Sequence, residues 1–139
     1  MISPLVYCPR HGGQPTRGGS CAVCAANTIR LPYTKPPLNL NDRMHWRKKA
    51  AVVKAVRAYV GGMAIYMKPF QTVRVELHYV PRDKRRRDAD NLVATLKPCL
   101  DGLVDAGVIR DDSPEYVTWT VHIDPPSPDP HLYLLVEAA

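Results

Sequence analysis

Residues 72–80, TVRVELHYV, alternate Val73, Val75, Leu77 and Tyr79 with Thr72, Arg74, Glu76 and His78, the period-2 mark of a strand with one buried face. After a charged stretch the period changes. From Asp90 onward Leu92, Val93, Leu96, Leu100, Leu103 and Val104 form one helical stripe, with Asn91, Ala94, Lys97, Asp101 and Asp105 opposite and Gly107 as a terminator. A strand that leads through a short loop into an amphipathic helix buries both apolar faces by packing the helix back on the sheet. This junction therefore constrains the fold more than any other stretch. Pro98 removes the helical bond to the carbonyl of Ala94 and is expected to kink the axis or to start a second helical piece.

The flanking patterns extend the order. A short strand is expected over 29–33, followed by a proline-rich loop and a helix that starts near residues 45–47 and ends at Gly61-Gly62. In that helix Ala50, Val53, Val56, Tyr59 and Val60 fall on one face, away from Lys49, Lys54 and Arg57. Trp46 at its head is either packing or a platform on which a base could stack. Two more strands are expected over 116–123 and in the closing LYLLVEA. The order strand, helix, strand, helix, strand, strand implies an α+β domain over residues 31–139, a small mixed β-sheet with two helices packed on one face.

Residues 1–30 carry no hydrophobic periodicity and read as loop. They do hold Cys8-x2-His11-x9-Cys21-x2-Cys24. In a reducing compartment two such knuckle pairs fit a structural tetrahedral Zn²⁺ site, a Cys3His segment in which the metal stands in for a core; chance spacing is the alternative. Cys99, alone on an apolar stretch, reads as a small buried hydrophobe.

Charge is unevenly distributed. Residues 1–87 hold 17 Lys/Arg against 3 Asp/Glu, and residues 88–139 hold 2 against 10. A positive region of this kind suits a polyanion such as DNA, although a basic solvated surface gives the same count. No apolar run approaches the roughly 20 residues of a membrane helix, and the opening MISPLVYC lacks the pattern of a secretion signal. A cytoplasmic protein is expected, with no membrane partner.

The sign changes inside RDKRRRDADN, where Arg82, Lys84, Arg85, Arg86 and Arg87 run into Asp88 and Asp90. A second acid pair, Asp111 and Asp112, follows the helix. Should the pairs meet, their repulsion calls for protons or a cation, and a hard ion such as Mg²⁺ is the economical choice. The bland reading makes Asp90 a helix cap and DDSPE a turn.

The stretch RRRDADNLVATLKPCLDGLVDAGVIRDDS resembles the RusA-type crossover-junction endodeoxyribonucleases, the Holliday-junction resolvases common in phages and prophages. That family shows a basic run, Asp-x-Asp-Asn opening a helix, a lysine on that helix, Asp-Ala/Gly-Leu, and Asp-Asp at the next turn. PPLNLNDRMHWR is similar to its amino-terminal region, so the likeness spans roughly residues 31–139. It implies a RusA-like fold and a homodimeric endodeoxyribonuclease of the bacterial host cytoplasm. Such an enzyme uses Mg²⁺, with Mn²⁺ as an alternative, to cut four-way junctions by paired symmetric nicks. It also implies that Asp88, Asp90 and Asp112 are catalytic metal-binding acids, with Asp111 beside them. Lys97 stands three residues later than the family spacing from Asp90 but in register with Asp101, and takes the catalytic lysine's place. About 10 Å of helix axis separates it from Asp90. Arg43, Arg47, Lys48, Lys49, Arg82, Lys84, Arg85, Arg86 and Arg87 are the expected DNA contacts. Two rivals remain, a non-catalytic zinc-containing DNA-binding module and a less selective nuclease of flaps and other branched DNA.

Overall fold

The structure is a computed structural model that describes the backbone of residues 5–6 and 16–17 and, in full, residues 27–40 and 43–139. The candidate zinc ligands Cys8, His11, Cys21 and Cys24 lie outside the described residues. Within the expected loop, β1 (Leu5–Val6) pairs antiparallel with β2 (Thr16–Arg17).

The sheet is mixed, with four strands in the order β3-β6-β4-β5. These are β3 (Thr28–Arg30), β4 (Val73–Val80), β5 (Val117–Ile123) and β6 (His131–Ala138). β6 is antiparallel to both β3 and β4, whereas β4 and β5 run parallel. Parallel neighbours need a crossover long enough for a helix, and the segment between them supplies one. A 3-10 turn (Ala89–Leu92) leads into helix α2 (Val93–Asp105), and α1 (Trp46–Met63) precedes β4. The expected α+β architecture is what the chain adopts. β3 begins at residue 28, so the sheet reaches slightly ahead of the boundary expected at 31.

The helices share one core with one face of the sheet. Val56 and Val60 of α1 and Leu96, Cys99, Leu100 and Leu103 of α2 are buried with Val73, Val75, Leu77, Leu132, Leu134 and Val136. Burial of each such Leu or Val contributes about 1.5–3 kcal/mol before entropy is counted. Cys99 is fully buried as expected, and desolvation pushes its thiol up to about 12.

Two expectations about the helices are corrected. Pro98 does not start a second helical piece, since α2 runs from Val93 through Pro98 to Asp105 as one helix. Gly61 and Gly62 do not end α1, which continues to Met63. Gly61 instead lies against Gly102 of α2, and the two helices cross so closely there that a Cβ on Gly102 would come 2.6 Å from the carbonyl oxygen of Arg57. The crossing is also bridged by Arg57, whose guanidinium donates to both oxygens of Asp105 at 2.6 and 2.7 Å. Gly102→Ala should lower stability by about 1–3 kcal/mol despite alanine's better helix propensity, because the added methyl overpacks a backbone contact. Urea unfolding with an unchanged m-value is the readout.

Candidate functional site

The expected site begins where β4 ends. Thr95 of α2, fully buried, donates its hydroxyl to the Leu38 carbonyl at 2.9 Å and accepts from the Leu38 N–H at 3.3 Å. This reciprocal pair fastens the proline-rich segment to the helix. Asn39, next along, thereby joins Tyr79, Arg87, Asp88, Asn91 and Ile123 around a cleft of about 310 Å³. Arg43 follows Asn39 by four residues, so it lies within about 14 Å of that cleft.

The loop before the helix is self-braced. Asp83 accepts from the Arg85 N–H at 3.0 Å and from the Arg87 guanidinium at 2.8 Å, and Arg87 also donates to the carbonyls of Asp83 and Arg85. Arg87 lies over the Tyr79 ring as well. Its guanidinium thus braces the loop while the residue also lines the cleft. Arg82, Lys84, Arg85 and Arg86 are exposed, and among the described residues none of their side chains is in an ion pair.

Asp88 occupies the cap position of the 3-10 turn but makes no side-chain capping bond, and Asp90 sits in the first turn. Both are exposed. The capping reading for this pair therefore lacks its defining hydrogen bond. Asp111 does fit the turn reading, since its carboxylate accepts the N–H of Asp112 at 2.8 Å.

Lys97 is where the second acid pair meets the helix. Its ammonium donates to Asp101 at 3.1 Å, one turn along, and to Asp112 from the loop after α2. Asp112 beside it raises the Lys97 pKa, and Lys97 in turn holds the Asp112 carboxyl below its usual range. Among the described residues, no trio drawn from Asp88, Asp90, Asp111 and Asp112 has ligand oxygens within 4.8 Å of one another. The structure joins Lys97 to Asp112, and Asp88 and Asp90 stand at the entry of the crossover.

The basic residues before and within α1 form a second exposed group. Arg43, Arg47, Lys48 and Lys49 are exposed, as is Trp46 at 68%. His45 caps α1 by accepting the Arg47 N–H on Nδ1, and it stacks on Trp46, while the Arg47 guanidinium sits 5.1 Å from the Trp46 ring centroid. Packing is thus not what Trp46 provides; it offers an aromatic face among cations.

A different group escaped the sequence. Glu76, His78 and His122, on the sheet face opposite the helices, bring three ligand atoms within 4.8 Å of one another and could hold a metal ion. The Glu-x-His spacing on β4 was a visible signal. The contribution of His122 depends on the β4–β5 register, which places it opposite His78 and which no local pattern encodes.

No family model matches the chain. A curated protein of Xylella fastidiosa (strain Temecula1 / ATCC 700964), described as an uncharacterized protein, is similar to it at 28% identity over 102 residues, covering 66% of this chain and 67% of that protein. Among the described residues, no helix is long and apolar enough to cross a membrane.

The Lys97–Asp112 contact generates a test by titration. Because the Asp112 pKa is depressed in the folded chain, the contact stabilises the fold above the carboxylate's unfolded pKa and that contribution fades as pH falls through the folded value. Lys97→Met should move the Asp112 titration, followed by carboxyl NMR, upward toward the ordinary range. An unchanged midpoint would remove Lys97 as the cause.

Proposed function

We propose that the chain is a Mg²⁺-dependent endodeoxyribonuclease of the RusA type that acts on four-way DNA junctions as a homodimer. The observation that carries the reading is the contact between Lys97 and Asp112. It couples the lysine that the family likeness selects, despite its late position, to the acid pair that the same likeness selects.

Asp88 and Asp90 suit a hard ion. Mg²⁺ is commonly held by one or two carboxylates together with waters and substrate phosphates, and these two carboxylates are exposed, two residues apart and not engaged in capping. Asp112 would supply a third carboxylate, with Asp111 fixing its turn. Mn²⁺ suits the same oxygen set. Bound there, such an ion supplies activation of water and neutralisation of charge at the scissile phosphate.

The chain's own groups do the rest. Lys97, more than half exposed, can turn its ammonium from Asp112 to a phosphate on which negative charge is growing. Arg82, Lys84, Arg85 and Arg86 on one loop, and Arg43, Arg47, Lys48 and Lys49 around the head of α1, provide backbone-phosphate contacts; Trp46 provides a surface for an unstacked base. A two-fold dimer would present two such sites to the near two-fold junction, as paired nicks require. The segment with Cys8, His11, Cys21 and Cys24 is assigned a structural Zn²⁺ and lies outside this chemistry.

Asp90→Asn should abolish Mg²⁺-dependent cleavage of a synthetic four-way junction and leave junction binding within a few-fold of wild type. Mapping products on all four strands should show paired symmetric cuts. A wild-type protein that binds branched DNA but never cuts it with Mg²⁺ or Mn²⁺ is a binding module, and equal cutting of flaps and linear duplex excludes a resolvase. Lys97→Ala should lower the single-turnover rate about 10²–10³-fold with little change in binding.

A further inference from the structure

On the face of the sheet turned away from the helices, β4 and β5 carry a polar ladder whose centre is shut off from solvent. The parallel register sets Glu76 opposite Thr120 and His78 opposite His122. Glu76 and His78 are only 6% and 8% exposed. Burying a carboxylate and an imidazole together is costly unless each polar atom is matched.

His78 lies between two carboxylates. Asp124 Oδ1 stands 2.8 Å from His78 Nδ1, and Glu76 Oε1 stands 2.9 Å from His78 Nε2. A neutral imidazole has a single N–H and cannot donate to both carboxylates. A ring that carries both protons donates to both; a neutral ring that donates to Asp124 turns the lone pair of its other nitrogen toward Glu76, where a shared cation would fit between them. His122 closes on the same oxygen, its Nε2 lying 3.6 Å from Glu76 Oε1, and its ring stacks on His78 at 4.5 Å between centroids. One ligand atom from each of Glu76, His78 and His122 thus lies within 4.8 Å of the others. His122 Nε2 is also 2.8 Å from Thr120 Oγ1, and because the two rings are stacked 15° from parallel, a shared ion requires the part-exposed His122 ring to turn out of the stack.

We propose that Glu76, His78 and His122 bind a borderline divalent transition ion, Zn²⁺ in the first place, with Asp124 as the positioning residue. Ligand atoms each about 2.0–2.1 Å from a tetrahedral ion stand roughly 3.3 Å apart, and the separations of 2.9 and 3.6 Å fall on either side of that value. Asp124 takes the Nδ1 proton of His78 and so presents Nε2 as the ligand, the carboxylate–histidine–metal arrangement that fixes a tautomer. Tyr133 donates its hydroxyl to the other Asp124 oxygen at 2.9 Å and stacks on the free face of His78, holding both in place. Arg74 lies 3.5 Å from the second oxygen of Glu76 and pairs with Glu137, which holds the carboxylate in place with its first oxygen toward the two histidines.

Two imidazoles make the site unlike the all-oxygen set of Asp88, Asp90 and Asp112, and they favour Zn²⁺ over Mg²⁺. Three protein ligands leave a fourth position, and the His122 side chain, 41% exposed, marks the side open to solvent. A bound ion there ties β4 to β5 across their parallel pairing. The inference does not depend on the nuclease reading.

The test uses the full-length protein, stripped with a chelator and titrated with Zn²⁺, in a Cys21→Ser/Cys24→Ser background that silences the amino-terminal candidate site. That protein should retain one zinc per chain, held against a large excess of Mg²⁺, and should show a zinc-dependent rise in Tm. Adding His122→Ala should remove both the zinc and the rise. His122 lies on an edge strand and is part-exposed, so folding, checked by circular dichroism, should survive. Asp124→Asn should weaken zinc about 10–100-fold without abolishing it, and it decides the matter if the His122 variant fails to fold. The proposal is overturned if the cysteine variant binds no more zinc than its His122→Ala derivative, if Mg²⁺ displaces the ion, or if Asp124→Asn leaves affinity unchanged.

Discussion

The parallel pairing of β4 with β5 organises both candidate sites of this chain. Because parallel strands cannot be joined by a tight turn, the chain must leave the end of β4, cross the sheet and return to the start of β5. The departure is the RDKRRRDADN loop, the crossing is α2, and the return is the loop carrying Asp111 and Asp112. The same pairing, read on the opposite face, sets His122 beside His78. A slip of one residue would turn every side chain of β5 to the wrong face, separating the histidines and exposing Val117 and Val121 together.

β4 also divides the molecule by polarity. Its Val73, Val75, Leu77 and Tyr79 face join the helical core, while Glu76 and His78, on the other face, are nearly as well shielded. A strand central in its sheet gains neighbours on both edges, β5 and β6, so among the described residues its polar face is flanked by Thr120, His122 and Tyr133 with no helix over it. That flanking turns an ordinary alternating strand into a buried hydrogen-bonding problem, one in which the stacked rings of Tyr133, His78 and His122 carry much of the packing.

Much of this was legible in the chain. Period-2 and period-3.6 patterns located β4, α1, α2, β5 and β6 to within a few residues, because each pattern reports burial of one face and every element has one. The misreadings concern glycine, proline and register. Gly61-Gly62 looked like a stop since glycine usually ends helices, yet Gly61 lies in the close crossing with Gly102, a tertiary fact. Pro98 looked like a break, yet α2 continues through it as one helix, buried against the core on both sides of the proline. Of the candidate site, the residues were legible from a family likeness, and the bracing of Arg87 by Asp83 was not. The Glu76, His78 and His122 group was illegible because its third member arrives through the sheet.

Lys97 shows how far spacing along one helix can mislead. Counted from Asp90 it is three residues late, and Ala94 holds the family position; on that count the lysine should have lost its role. But a catalytic lysine is placed by what surrounds its ammonium, not by its distance from the helix start. The loop that returns from α2 to β5 brings Asp112 to Lys97, and Asp101, one turn further along, receives the same ammonium. An insertion early in α2 that carried the lysine forward would leave this acid–lysine unit intact provided that the whole downstream segment moved with it. The register of Lys97 with Asp101 fits that account. On the proposed reading the lysine is defined by its pairing with the acids that follow it and not by its distance from Asp90.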